Sequence, residues 1–529
     1  MKYLLFLGLL LSSLCLSAQP QNAFRWANQV PLTYSSLATD AAGNTVVTGS
    51  FSQPISANGQ TVAPYGLEDV FIGKYSAGGQ LLWFTHIGGT GATARGNDVA
   101  LDAAGNSYVA GGFTGALTQN VAGTPLTVSI NPFSGSYFLP FLLKVSPTGQ
   151  VQWARQGQDS NGDINTMPAL HVAADLLGNA TITGFGTSPS LKFGAITLSF
   201  VPRSSFVVHF NAAGTPVWGL SIAGNGLGGA TRGIGADGLG NIYLPIATFG
   251  TTSINGQLVS PGAFGTLLVK LDGRSGASVW NRFAANVNPD DLAVDLLGHS
   301  SLIGDFSGTA RIGSKTLTSG LAAEVCVARY HPNGNFDWAH SLGAVTTWGE
   351  RIATNASGSS IVALVNTLTT PTHAQLLDLN PQSGSATWHH ELGPGTTSGS
   401  NLAVSPTEQV YVAGSFNGRL ELGRTTLTSA EGAYFLARID RGPGRNSPRF
   451  ADLISYYPNP ITAYLKLKLP TQCLPARASV LQISGREVLS QPLLFSETEL
   501  NVRSLKPGLY TLRLQLPDGP PVTKQIQIH

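Results

Sequence analysis

Cysteine is nearly absent from the 529-residue chain: there are three, and Cys15 falls in the apolar N-terminal stretch, leaving only Cys326 and Cys473. A disulfide framework is therefore excluded as the source of stability, so packing must supply it. Charge is scarce as well, at 11% of residues with a net +2. That excludes long solvated helices, and it argues against a nucleic-acid binder, which needs a concentrated basic surface to displace phosphate counterions. After the first twenty residues no apolar run is long enough to cross a bilayer as a helix, so the mature chain is expected to be soluble, without a transmembrane segment. The sequence also lacks a Walker loop, a nucleophile elbow and zinc-ligand spacing.

What is abundant is punctuation: 63 glycines and 31 prolines favour strands separated by turns. One phrase recurs, as ATDAAGNTVVTGSF at 38–51, LDAAGNSYVAGGF at 101–113, AADLLGNATITGF at 173–185 and AVDLLGHSSLIGDF at 293–306. It reads strand, tight turn, strand. An Asp side chain accepts backbone N–H bonds two residues on, and Gly supplies the positive φ that such turns need. Asp40, Asp102, Asp175, Asp237 and Asp295 are accordingly read as turn caps. One carboxylate per turn falls far short of the oxygens calcium requires, and neither a metal nor a cofactor is expected.

Each phrase is followed by an apolar run broken by one polar residue, which is Lys74, Lys144, His209, Lys270, Arg329, Asp378 or Arg438. Then come a Gly turn and a tryptophan: Trp83, Trp153, Trp218, Trp280, Trp338 and Trp388. Four strands per unit and tryptophans roughly 50 to 70 residues apart fit a repeated four-stranded sheet. Seven second-strand phrases are present, but the seventh unit ends at YFLARID without a tryptophan. Trp26, in FRWANQV, precedes the first phrase, so the N-terminal strand is expected to complete the last sheet and close a ring that protects its edges.

The predicted fold is all-β, with a seven-bladed β-propeller over 21–442, a linker over 443–454, and a small immunoglobulin-like β-sandwich over 455–529. The polar residue of each third strand is read as a long stem snorkelling between apolar neighbours. The tryptophans are read as docking adjacent blades together. His86, His340, His389 and His390 are read as ordinary surface or sheet residues, because no ligand spacing recurs among them. Residues 1–18 have the layout of a cleaved export signal, with cleavage between Ala18 and Gln19. Cys15 invites a lipoprotein reading, but Leu14 stands where that signal wants a small residue.

DAAGNSYVAG, and more loosely DGLGNIYLP, resemble the bacterial β-propeller repeat of secreted proteins, whose units read D-x-x-G-N-x-Y-V-x-G. That resemblance implies shape more than activity. LDGRSGASVW (271–280) resembles the docking motif of quinoprotein dehydrogenase propellers. Those enzymes imply eight blades, a calcium-bound quinone and often adjacent cysteines, whereas this chain has seven units and no Cys-Cys pair.

In the tail, YYPNPITAYLKLKL, VLQISGREVLS and LNVRSLKPGLYTLRLQLPDGPPVTKQIQIH together resemble the type A sorting domain of the type IX secretion system. The family's elements occur in order: Tyr457, Pro458, Asn459 and Pro460, then a turn at Gly485, then Leu505, Gly508, Leu509 and Tyr510, then Lys524. The resemblance implies the type IX secretion machinery as partner, with passage through the periplasm and across the outer membrane. The tail is then commonly removed and the passenger released or tethered to the surface. From 445 onward there are ten basic against five acidic residues, read as a solvated basic face.

Two functions are compatible with these features. The first is a secreted, monomeric, non-catalytic propeller whose loops bind a glycan, peptide or protein partner, with the long loop 114–137 as the first contact candidate. The alternative is an extracellular polysaccharide hydrolase or lyase, its carboxylates gathered from different blades at the channel mouth. Carboxylates about 5–10 Å apart there would favour glycoside chemistry.

Overall fold

The computed structural model describes residues 24–440 and 455–529, apart from 31–35, 58, 121–125, 128–137, 159–167, 187–189, 201–203, 225–229, 255, 260–262, 321–322, 345–350, 359–360, 367–373, 393–395, 459, 469–475, 483–485, 494–496 and 516–521. The cleavage site at Ala18 and Gln19, the linker over 443–454, most of the 114–137 loop, Cys473, Asn459 and Gly485 therefore lie outside the described residues, as do the side chains of Trp388 and His389. Among the described residues the regular elements are strands, with no helix. The chain divides into two units, 1–441 and 442–529.

The first unit is built from four-stranded antiparallel meanders. The first runs Ser36–Thr39, Thr45–Phe51, Asp69–Tyr75 and Leu81–Ile87, from axis to rim. The pattern repeats, and seven such sheets are present among the described residues. The fourth is irregular: its innermost strand is split into Ala230–Thr231 and Gly235–Ala236. Each innermost strand lies against the next, and Thr396–Val404 of the seventh returns against Ser36–Thr39 of the first. The ring is closed.

Closure follows the expected route. Phe24–Val30 pairs antiparallel with Thr425–Ile439 as the outer strand of the seventh sheet, with Trp26 opposite Arg438. Among the described residues the apolar side chains then form seven separate cores, one for each boundary between sheets. The boundary that closes the ring joins Leu37, Val47 and Phe71 of the first sheet to Tyr411, Ala413 and Leu436 of the seventh. Because both faces of a sheet are covered, third strands such as Asp69–Tyr75 and Leu139–Val145 are buried along their whole length. This is why they read as continuous apolar runs rather than as alternation.

The tryptophans whose side chains are described tie one sheet to the next, as expected. The indole N–H groups of Trp26, Trp153, Trp218, Trp280 and Trp338 donate to the carbonyls of Ala77, Ala212, Gly273, Pro332 and Pro381, each on the third-to-fourth turn of the following sheet.

The second unit is a sandwich of two antiparallel sheets over one core. The strands Ser455–Tyr457, Tyr464–Lys468 and Glu497–Asn501 form one sheet. Glu487–Leu493, Ala476–Gln482, Gly508–Gln515 and Val522–Ile528 form the other. Strict alternation sends Leu465, Leu467, Leu512 and Leu514 inward. Among the sorting-motif residues, Tyr457, Pro458, Pro460, Gly508 and Leu509 are exposed, Tyr510 is buried, Leu505 packs against the core and Lys524 is half-buried.

Candidate functional site: a cleft between the first and second sheets

The recurrent phrase must first be separated from any site. Asp102 Oδ1 accepts the N–H groups of Ala104 (3.0 Å) and Asn106 (2.9 Å), and Oδ2 accepts the Asn106 amide (2.8 Å). Asp40, Asp175, Asp237 and Asp295 cap their own turns in the same way. Tyr108 carries the phrase across a boundary, its hydroxyl lying 2.6 Å from the Gly178 carbonyl of the next sheet.

The basic residues of the third strands do not snorkel. Lys74 Nζ lies 2.9 Å from Asp40 Oδ2 and Lys270 Nζ 3.2 Å from Asp237 Oδ2, all four side chains being largely buried. Arg329 reaches Asp295 at 3.5 Å, and Lys144 stands 3.9 Å from Asp102. A long stem buried on both faces cannot bring its head to water, so the ammonium pairs with the turn carboxylate instead. His209 stacks on Trp218 with ring centroids 5.1 Å apart. Burial alone would raise the Asp40 carboxyl, but Asn44 and Lys74 hold it below its ordinary value. These groups build the ring.

Around the axis, the residues four positions before the turn caps are Ser36, Asp98, His171, Gly233, Asp291, Arg351 and Asn401. Bulges between Gly96 and Asp98, and between Pro289 and Asp291, aim these side chains. Asp98 accepts the Ser36 hydroxyl (2.6 Å) from the first sheet and the Val172 N–H (2.9 Å) from the third. Asp291 accepts its neighbour's N–H and that of Ile352 in the sixth sheet. Burial, with the charge of Asp291, pushes Asp98 up to about 6. Burial, with Arg351 and Arg232, pushes His171 down to about 3. Carboxylates are thus present at the axis, but their oxygens are engaged by backbone N–H groups, an arrangement that staples strands together.

A different set of side chains converges on the rim. Leu81–Ile87 is the outer strand of the first sheet. In the third and fourth sheets the outer strand is covered by a hairpin from the following sheet, such as Thr252–Ile254 with Gln257–Val259. The corresponding hairpin of the second sheet, Ala116–Leu117 with Leu126–Thr127, does not join the first sheet; only Gly88 bridges to Gln119. A cleft of about 530 Å³ remains, lined by Val62, Phe84, Thr85, His86, Asn120, Gly149, Gln150 and Val151.

The cleft has an ordered back wall. His86 Nδ1 lies 3.0 Å from Oδ2 of the fully buried Asp69, which also accepts the N–H groups of Tyr65 (2.8 Å) and Gly66 (3.0 Å). A side chain at Gly88 would collide with that carboxylate. Tyr65 stacks on the imidazole, centroids 4.3 Å apart and nearly parallel. Asn120, in the left-handed region, donates its amide to the His86 carbonyl (2.9 Å). His86 is therefore no ordinary sheet residue. His340 hydrogen-bonds the Ser383 carbonyl and lies beside Trp338, and His390 lies edge-on to Phe24, so neither joins the cleft. Sequence reading missed Asp69, whose one signal was an acid opening a strand that is otherwise apolar except for Lys74.

Comparison with known proteins agrees with this architecture. Residues 455–529 match the secretion system C-terminal sorting domain, and residues 82–111 match the beta-propeller repeat. No curated protein matches the chain. Among solved structures, the Dos1 propeller is similar at 8% identity and a TM-score of 0.41, covering 79% of this chain and 94% of that one. The quinohemoprotein alcohol dehydrogenase of Comamonas testosteroni is similar at 9% identity and a TM-score of 0.38, covering 79% and 76%. Likenesses this distant carry no argument about activity. The chain thus carries a beta-propeller repeat within its ring of sheets and, at 455–529, a C-terminal sorting domain of the type IX secretion system, which indicates export to the extracellular space or the cell surface.

Proposed function

We propose that this exported propeller is a non-catalytic binding protein that holds a short glycan in the cleft beside His86. The observation that carries the reading is the composition of that cleft. One cavity joins the ring of Phe84 to the amides of Asn120 and Gln150 and to an imidazole fixed by Asp69. Ligand sites combine apolar surface with a few fixed polar groups in this way. A sugar presents a C–H face to an aromatic ring and hydroxyls to amides that both donate and accept. The lining includes no carboxylate among the described residues, and Asp69 stands behind His86 rather than in the cleft. That argues for binding over glycoside hydrolysis, which needs a pair of carboxyl groups flanking the bond. In the tail, the exposed Tyr457, Pro458, Pro460 and Leu509 are the residues proposed for contact with the secretion machinery.

The test is a glycan array probed with the full chain, followed by calorimetric titration of the hits. Phe84→Ala and Gln150→Ala should each weaken binding by about tenfold, roughly 1.4 kcal/mol. Release of shortened oligosaccharides would support the hydrolase instead. Binding confined to extended peptides would assign the cleft to strand addition along Leu81–Ile87.

A further inference from the structure

Three consecutive first-to-second turns near the axis present leucines to solvent. They are Leu176 and Leu177 in the third sheet, Leu239 in the fourth, and Leu296 and Leu297 in the fifth; Leu177, Leu239 and Leu297 are 80%, 87% and 67% exposed. The turns lie side by side, since Gly238 N–H donates to the Leu296 carbonyl (2.9 Å) and Gly240 packs against Asp175. The leucines therefore form one arc. Folding does not require them: the same two turn positions hold Ala41 and Ala42 in the first sheet, and Ala103 and Ala104 in the second. Exposed apolar side chains gathered in one place mark an interaction surface.

We propose that this arc inserts into the surface of a lipid bilayer carrying anionic headgroups. Two features select that occupant. The leucines stand at the tips of convex turns, the shape that enters a soft apolar phase rather than one that receives a protein segment. Guanidinium groups flank the arc at the same end of the sheets. Arg274 is exposed on the third-to-fourth turn of the fourth sheet. Arg155 and Arg282 lie along the carbonyls of Gly214 and Gly334 on the corresponding turns of the third and fifth sheets. Against these three cations, Asp272 is the acid on the Arg274 turn. Leucines with arginines at the same end of their sheets have the make-up of an interfacial anchor, in which apolar insertion and attraction to anionic headgroups add.

The experiment is co-sedimentation of the full chain with phosphatidylcholine vesicles, with and without phosphatidylglycerol. The expected result is binding to the mixed vesicles that falls by about tenfold or more in the triple variant Leu177→Gln, Leu239→Gln, Leu297→Gln. Leu82→Gln, an exposed leucine on the rim of the first sheet, should bind as the wild type does. All four side chains are at least half exposed, so thermal melting should change little. A wild-type chain left in the supernatant, or a triple variant that still sediments, overturns the proposal. So does a wild-type dimer that the triple variant abolishes, which would assign the arc to a second copy of the chain.

Discussion

Gly149 lies against the ring of Trp83: a methyl group on its α-carbon would come within 2.9 Å of the indole. The indole N–H meanwhile donates to the Pro147 carbonyl on the same turn (2.8 Å), across the boundary between the first two sheets. Gly79 on Trp26, Gly214 on Trp153 and Gly276 on Trp218 repeat the arrangement. The glycine thus serves twice, once for a φ of +87° and once for space. Gly149→Ala should therefore cost about 2–3 kcal/mol. Gly105→Ala, at φ +79° with nothing closer than 3.8 Å, should cost only the backbone part, about 1 kcal/mol. Denaturant unfolding of the two variants measures the difference, and equal costs would mean the indole contact is not tight.

The buried pair of Lys74 and Asp40 gives a second expectation. Lys74→Met alone leaves a largely buried carboxylate without its counter-ion and should destabilise by about 2–4 kcal/mol. Adding Asp40→Asn should recover part of that loss, because the orphaned charge is gone while the turn keeps a capping oxygen. A double mutant as unstable as the sum of the singles would show that the two groups do not interact.

Asp98 and His171 oppose each other in pH. About a quarter of each side chain is exposed near the axis, with Nδ1 of the imidazole 4.0 Å from the carboxylate, and burial is the main cause of both shifts. Asp98 is raised from 3.8 to about 6, so the folded state takes up a proton first and gains stability as pH falls from 6 to 4. His171 is lowered from 6.5 to about 3, so the unfolded state protonates first and stability falls over the same window. The two trends offset one another in the wild type. His171→Gln should leave a protein that becomes more stable between pH 6 and 4, and Asp98→Asn one that becomes less stable. Thermal melting across that range reads both signs.

The ring was legible because its grammar is local. Asp, Gly and Asn at fixed offsets make the turn, and Trp after a Gly turn marks the outer strand. Even the missing seventh tryptophan could be traced to Trp26. What stayed hidden depends on neighbours brought together from different repeats or different strands. Lys74 and Asp40 are 34 residues apart in sequence, so the lysine looked like a lone polar interruption, and only the sheet register sets it beside the turn cap. The cleft was equally illegible. It lies where the Ala116–Leu117 hairpin leaves the outer edge of Leu81–Ile87 unpaired, and its orienting acid, Asp69, belongs to no repeated pattern. The leucines of DLLGN were visible, but as variable letters of the turn rather than as an arc.

Ring closure is the claim on which the cleft, the axis staples and the leucine arc all depend. Hydrogen–deuterium exchange of the full chain, read by mass spectrometry on peptides covering Phe24–Val30, tests it directly. Amides of that strand should exchange as slowly as those of their partner Thr425–Ile439, because the pairing completes the seventh sheet. Exchange at the rate of an unstructured terminus, with Thr425–Ile439 still protected, would contradict the account.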